Sequence, residues 1–323
     1  MKLPEIIADA RTVAIAGHVR PDGDCVGSTL AIYNYIKKSM PDVKADIFLT
    51  EKDPKFSLLV GFDEIIADPA PDVEYDLFIS LDVSAVERLG KNLSCFKKAK
   101  RTFCIDHHVS NVGFADGNYI IASASSACEV LYDLLDPELI DETIAAPLYM
   151  GMAHDSGMFR FSSTSSNTMR IAGEMMDKGI DFSRIIEETY FDNTYAQNQI
   201  TGRILMESII FMDGKCIAGR ADRKMMNFYR VDTSDMGGVI DSLRNTRGIE
   251  CAIFMYQLKD LEYKVSLRSK STIDVNKIAL KFGGGGHKRA AGFEAEGTFY
   301  DILNNISEEI EKQFKKEEGL RAE

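Results

Sequence analysis

The sequence predicts an α/β protein. A doubly wound, mostly parallel sheet comes first, and a smaller α+β domain follows, joined to it by a helical linker. Three observations predict this. At 323 residues the chain is too long for one ordinary core and suits two domains. Up to Gly179, short apolar runs alternate with segments of helical period, the pattern of a parallel sheet with crossover helices. From Ile209 onward, strand signals cluster in pairs around turn residues instead.

Taken in order, Val13–Ala16 is a short apolar strand, and Ser28–Lys38 carries the apolar period of a helix. Asp46–Thr50 is a second strand. Leu77–Leu81 is apolar but for Ser80, as expected of a strand covered on both faces. Thr102–Ile105 is a fourth, and helices are expected at 125–135, 141–152 and 166–178. The stretch 183–207 reads as helical and leads into the second domain. We place the boundaries at 1–188, 189–208 for the linker, and 209–323. In the second domain IIFMDGKCIAG reads as a hairpin around Asp213-Gly214. GIECAIFMYQ and YKVSLRS read as strands, and 235–243, 274–281 and 298–317 as helices. The charged run EKQFKKEEGLRAE at the C-terminus is expected to fray.

Composition narrows the function. No apolar run approaches the roughly 18–20 residues that a membrane helix needs. The N-terminus MKLPEIIADARTVAIAG has no basic segment ahead of a long apolar one, so no signal peptide and a cytoplasmic location are expected. The cysteines at 25, 95, 104, 128, 216 and 251 show neither C-x-x-C spacing nor a disulfide framework and read as small buried hydrophobes. A net charge of −12 argues against binding of long nucleic acid. The charge is uneven: residues 1–202 carry −13, residues 203–291 carry +6 and the remaining tail −5. An acidic first half suits a cation site, and a basic second half suits an anionic substrate.

Four motifs carry the chemistry. His18-Val-Arg-Pro-Asp22-Gly-Asp24 follows the first strand, Asp82 follows LFISL, and Asp106-His107-His108 follows TFCI. The fourth, His154-Asp155-Ser156-Gly157, follows the apolar helix. Open parallel sheets place their sites beyond the carboxyl ends of strands, where the first three motifs fall. The chain has five histidines, and four lie in these motifs. Asp106 is suited to accept a ring N–H and fix a tautomer. The donors are carboxylate and imidazole without thiolate, which fits Mn²⁺ or Mg²⁺, with Fe²⁺ and Co²⁺ also admitted. Six such donors exceed the need of one ion, and a pair bridged by one carboxylate, about 3.5–4 Å apart, is the natural arrangement for phosphoryl hydrolysis. His108 follows a ligand and is expected to point the other way if the segment is extended.

The fifth histidine lies in Gly283-Gly-Gly-Gly-His287-Lys-Arg289-Ala-Ala-Gly292. Its glycines, with Gly284, Gly285 and Gly286 foremost, allow close backbone approach and N–H groups aimed at an anion. His287 and Arg289 add positive partners. Upstream, Arg268 and Ser269 end a strand as a further phosphate clamp.

These residues resemble the DHH phosphoesterase superfamily over nearly the whole chain. His18/Asp22/Asp24, Asp82, Asp106-His107-His108 and Asp155 look like its metal motifs in order. GGGGHKRAAG resembles the signature of its associated C-terminal substrate domain. LDVSAVERLG, ASASSACEVLYDLL and HDSGMFRFSST look like the short nanoRNase (NrnA-type) branch, whose members cleave oligoribonucleotides and dephosphorylate 3′-phosphoadenosine 5′-phosphate. Ser156 stands where that branch more usually has Thr. The resemblance implies that His18, Asp22 and Asp82 hold one ion, and that Asp24, Asp82, His107 and Asp155 hold the other. By the same resemblance His108 contacts the scissile phosphate, Arg268 and His287 hold the far end of the substrate, and the substrate lies between the domains. The implied partner is RNA of about two to five nucleotides or a small nucleotide, with no long nucleic acid and no membrane. A homodimer is one admissible assembly.

Three relatives compete. A family II pyrophosphatase lacks the GGGGH signature. RecJ-like single-strand exonucleases share both motifs but are longer. Phosphodiesterases acting on pApA or cyclic dinucleotides are not separated from the short-RNA reading by sequence. A non-catalytic nucleotide sensor would be expected to have lost a metal donor, and none is missing.

Overall fold

A computed structural model describes residues 1–69 and 73–322. The chain divides into two compact units, Met1–Asp192 and Asn193–Glu323.

The first unit has strands β1 (Thr12–Ala16), β2 (Lys44–Phe48), β3 (Ile65–Ile66), β4 (Leu77–Leu81), β5 (Thr102–Asp106) and β6 (Gly117–Ile120). They pair in the order β3-β2-β1-β4-β5-β6, and every pair is parallel. The order reverses between β1 and β4, the switch point at which α/β sheets open a crevice. Alternate residues of β1 and β4 feed two cores. Val13 and Ile15 of β1 and Leu77, Ile79 and Leu81 of β4 join one cluster. Ala14, Ala16 and Phe78 join the other. That is why LFISL is apolar at both parities.

The helices of this unit are α1 (Leu3–Ile7), α2 (Gly23–Ser39), α3 (Leu93–Lys98), α4 (Ala127–Leu134), α5 (Glu142–Asp155), α6 (Ser166–Asp177) and α7 (Phe182–Ile186). Helix α2 begins five residues earlier than expected, because Asp22 caps it by accepting from the N–H groups of Asp24 and Cys25 at 3.2 and 3.1 Å. Helices α2 and α5 meet at glycines. A Cβ at Gly27 would fall 2.5 Å from the Pro147 carbonyl, and one at Gly151 would fall 2.9 Å from Asp24 Oδ1. Pro147 sits inside α5 and cannot donate to the carbonyl four residues back. That carbonyl, on Thr143, instead accepts from Asn34 Nδ2 of α2 at 2.9 Å. The close seam brings the start of α2 and the end of α5 together.

The second unit has strands β7 (Ile209–Phe211), β8 (Cys216–Ala221), β9 (Cys251–Lys259), β10 (Glu262–Ser269), β11 (Gly285–His287) and β12 (Ala290–Glu296) in the order β11-β12-β10-β9-β8-β7. Only β8 and β9 run parallel. Its helices are α8 (Tyr195–Glu207), α9 (Arg223–Tyr229), α10 (Val239–Arg244), α11 (Val275–Lys281) and α12 (Phe299–Ala322). Tyr263, Val265 and Leu267 of β10 face the core that holds α11 and α12. The intervening Lys264, Ser266 and Arg268 belong to the opposite face.

The stretch expected as a linker is not one element. Residues 187–191 form a π-helical turn, whereas Ile200 and Ile204 of α8 are buried in the second unit's own core. Helix α9 and the hairpin of β11 and β12 were not expected; glycine-rich GGH has low strand propensity and pairs only because β12 supplies the partner. The C-terminal run, expected to fray, continues α12 to Ala322, with Lys315 paired to Glu311 at 2.8 Å; Glu323 lies outside the described residues. All six cysteines are free and buried. No helix among the described residues is long and apolar enough to cross a membrane.

Candidate metal centre

The ends of β1, β4 and β5 place three of the motifs side by side at the switch point, and α5 brings the fourth. Asp82 is the centre. It has a left-handed backbone, with φ of 58°, a strained state that aspartate tolerates better than most residues. It is almost fully buried. Its Oδ2 lies 3.3 Å from His18 Nε2, and its Oδ1 lies 3.5 Å from His107 Nε2. The two oxygens of one carboxylate thus face imidazoles from two different strands.

His107 Nε2 also lies 3.8 Å from Asp24 Oδ2 and 3.5 Å from Asp155 Oδ2. His18 Nε2 lies 3.6 Å from Asp22 Oδ2. In both rings Nδ1 faces a backbone carbonyl, Val19 for His18 at 2.8 Å and Ala124 for His107 at 3.4 Å, so Nε2 is the nitrogen turned to the carboxylates. Donor atoms of Asp24, His107 and Asp155 converge within 4.8 Å of one another, as do those of His18, Cys25 and Asp82. The structure therefore brings all six sequence-predicted donors together. It adds the buried Cys25 thiol, which composition alone had assigned to packing.

Electrostatics supports cations here. Burial opposes protonation of His18, but hydrogen bonds to Asp22 and Asp82 outweigh it and raise its pKa to about 10. Burial likewise opposes protonation of His107, yet Asp155, Asp82 and Asp24 hold it well above the usual histidine range. Burial, then repulsion from Asp82, pushes Asp24 well above the usual carboxylate range. Asp82 is held far below that range despite burial, because His107 and His18 donate to it. Crowded carboxylates of this kind need positive charge, and protons supply it when no cation does. The donor chemistry fits two hard or borderline divalent ions.

His108 differs from expectation. The strand ends at Asp106, so the strict alternation of side chains lapses. The His108 ring stays beside the cluster, with Nδ1 at 3.5 Å from Asp82 Oδ1 and its ring centre 5.0 Å from that of His107. Nδ1 is bonded to Asp106 Oδ1 at 2.8 Å, and Asp106 Oδ2 accepts from Asn111 Nδ2 at 2.7 Å. Asp106 therefore orients His108 rather than His107. Asn111, which locks that carboxylate, was not legible in the sequence.

His154 shares a motif with Asp155 but not its direction. Its Nε2 lies 2.8 Å from Thr189 Oγ1, and its ring packs on Phe56 and Tyr190. Successive helical residues diverge by roughly 100°, so the two side chains part. The hydroxyl of Ser156 is fully buried and donates to the Met152 carbonyl at 2.6 Å, which makes it part of the helix end.

The second unit carries the remaining predicted residues. Ser269 Oγ donates to the Ile273 carbonyl at 2.5 Å, and Arg289 donates to the carbonyls of Ile273, at 2.8 Å, and of Ser271. Both side chains tie down the turn that follows β10. A Cβ at Gly284 or Gly286 would collide with β12 backbone, at 2.2 Å from the Gly292 carbonyl and 2.4 Å from the Ala290 carbonyl. These glycines thus have an internal reason, close strand approach, while Gly285 is open. His287 pairs in register with Ala290 and is partly buried. Arg268 is partly buried and donates a weak bond to the Leu267 carbonyl at 3.2 Å.

Asp24 is held from behind. Its carboxylate accepts from the N–H groups of Ala127 and Cys128 at the start of α4, at 2.5 and 3.0 Å. Glu129 fixes that start. Its buried Oε2 accepts from Ser125 N, Ser125 Oγ and Thr168 Oγ1 at 2.9, 2.6 and 2.8 Å, and Oε1 accepts from Asn167 at 2.8 Å. Burial opposes its ionisation, but these donors hold its pKa below the usual value. A depressed carboxylate stabilises the fold above its unfolded pKa, and that stabilisation is lost as pH falls through the folded one. Glu129→Gln, which turns an acceptor into a donor facing other donors, should cost about 1–3 kcal/mol at pH 7. Thermal melts of both proteins from pH 7 down to pH 3 should show the gap narrowing below about pH 4.5, the ordinary value for a glutamate. A gap independent of pH would refute the assignment.

Comparison with known proteins finds a family match in each unit. Residues 12–152 match the DHH family, N-terminal domain, and residues 222–316 match the DHHA1 domain. The bifunctional oligoribonuclease and PAP phosphatase NrnA of Thermus thermophilus is 26% identical over 92% of this chain and 90% of its own length. The Bacillus subtilis protein of the same name is 24% identical over 95% and 96%. Among solved structures, an exopolyphosphatase-related protein from Bacteroides fragilis superposes with a TM-score of 0.86, at 23% identity over 95% of this chain and 94% of that one, which shows the shared fold. The chain belongs to the DHH family, with a DHHA1 domain following its DHH domain.

Proposed function

We propose that this chain is a metal-dependent hydrolase that cleaves oligoribonucleotides of about two to five nucleotides to mononucleotides, and that it also acts on 3′-phosphoadenosine 5′-phosphate. The observation that carries the reading is the placement of Asp82, whose two oxygens face His18 on one side and His107 on the other. His18, Asp22 and Asp82 would hold one divalent ion, and Asp24, Asp82, His107 and Asp155 the other, with Mn²⁺ the first choice and Mg²⁺, Co²⁺ or Fe²⁺ alternatives. Two such ions would supply an activated water and neutralise charge on the phosphate. The chain's own part is to hold His108 still through Asp106 and Asn111, so that its ring meets the scissile phosphate in one orientation. Arg268 and His287 would bind the far end of the substrate.

Charge favours a short substrate. The protein carries −12 overall, so a long strand leaving the site meets an acidic surface and loses the counterion-release gain that drives long-chain binding. A series of 5′-labelled RNA from two to twenty-four nucleotides, assayed in Mn²⁺ as kcat/KM, should fall steeply beyond about five nucleotides. A 24-mer degraded processively, as fast as the dinucleotide, would favour a RecJ-like exonuclease instead. The family members named above, whose names carry oligoribonuclease and phosphatase activity, support the short-substrate reading.

A further inference from the structure

The second unit contains a cavity of about 210 Å³ between the sheet and α10, lined among others by Phe254 and Tyr256 of β9, Ser266 and Arg268 of β10, and Asp241 of α10. Phe254 and Tyr256 lie two apart on one strand face, with ring centres 5.9 Å apart, and form its apolar wall. Two polar atoms of the lining are buried without a hydrogen-bond partner: Oδ1 of Asp241 and Nε of Arg268. Among the described residues only six side-chain atoms share that condition, and these two line one cavity. One is an acceptor and the other a donor. A buried polar atom without a protein partner needs a guest to pair with, water or ligand, and two of opposite kind in one cavity suit a guest that offers both a donor and an acceptor.

We propose that this cavity receives a nucleobase of the substrate, and that Asp241 selects bases with an exocyclic amino group over uracil. The proposal rests on the reading of the chain as an oligoribonuclease. A carboxylate oxygen only accepts. Adenine, cytosine and guanine each present an amino group to it, at N6, N4 and N2, beside a ring nitrogen or carbonyl that accepts from an arginine. Uracil carries a carbonyl oxygen where those bases carry the amino group, and its one donor on that edge, N3–H, sits between two carbonyl oxygens that repel the carboxylate. Aromatic walls suit the faces of any base. Asp241 thus supplies discrimination, and Phe254 and Tyr256 supply general affinity.

The test is kcat/KM for the 5′-phosphorylated dinucleotides pApA, pCpC, pGpG and pUpU. For the wild-type chain the three amino-bearing substrates should exceed pUpU by about tenfold or more, because a site built to pair an amino group rejects the analogue that lacks it. Asp241→Asn, whose amide can turn its N–H toward a carbonyl, should shrink that ratio to within about threefold, mainly through KM. Equal wild-type rates for all four, or a ratio unchanged by Asp241→Asn, would overturn the proposal. Wild-type turnover of an aryl phosphodiester, which has no base, reports separately on the metal centre. If that substrate is cleaved but no dinucleotide is, the oligoribonuclease reading fails. Calorimetric binding of AMP against UMP to the full chain then decides the cavity, tighter AMP supporting it and equal affinity refuting it.

Discussion

Asp82→Ala should abolish hydrolysis of every substrate, with a loss of about a thousandfold or more, since each 1.4 kcal/mol added to the barrier costs tenfold. Among the described residues Asp82 lies within 3.5 Å of ring nitrogens of three histidines, His18, His107 and His108. Removing it takes a shared donor from both proposed ions and leaves the remaining carboxylates and imidazoles without their common partner. The change should not be rescued by saturating Mn²⁺, because a terminal donor can be replaced by water but a bridge cannot set the spacing of two ions once it is gone. Rates near wild type in saturating Mn²⁺ would sink the two-ion reading.

His108→Ala should show the opposite split, with metal retained and turnover reduced by about 10²–10⁴-fold, the range for a positioned acid–base or phosphate-contacting group. Its Nδ1 is already committed to Asp106 at 2.8 Å, and Asp106 is fixed in turn by Asn111. On the proposed reading, that arrangement would position the ring for work on a substrate and contribute little to holding a cation. Elemental analysis beside steady-state kinetics measures both quantities. Loss of a full metal equivalent on His108→Ala would show that the ring is a ligand and that its role is assigned wrongly.

The legible part of the site was the part written locally. Asp82 could be placed because four of the five residues before it are apolar, and a strand buried on both faces ends at the sheet's carboxyl edge. Asp106-His107-His108 and His18-x-x-x-Asp22 could be placed for the same reason. What escaped was written between distant segments. The N–H groups that hold Asp24 lie 103 and 104 residues from it, and the Glu129 lock on Thr168 spans 39. Asn111, Cys25 and Asp241 carry no local signal that separates them from ordinary turn, core and helix residues. Composition alone suggests a ligand loop for the Gly-rich motif. In the structure it is half a hairpin, and two of its glycines are required by the neighbouring strand. Charge and a hydroxyl suggest Arg289 and Ser269 as anion partners, yet both commit polar atoms to backbone carbonyls of residues 271–273.

The central claim is that one buried carboxylate is shared by two cations. Metal content per chain, measured by elemental analysis after loading with Mn²⁺ and removal of excess, tests it most directly. The account predicts two ions per chain in the wild type and fewer than one in Asp82→Ala, with circular dichroism unchanged. Two ions retained by a folded Asp82→Ala chain, or a single ion in the wild type at full activity, would contradict it.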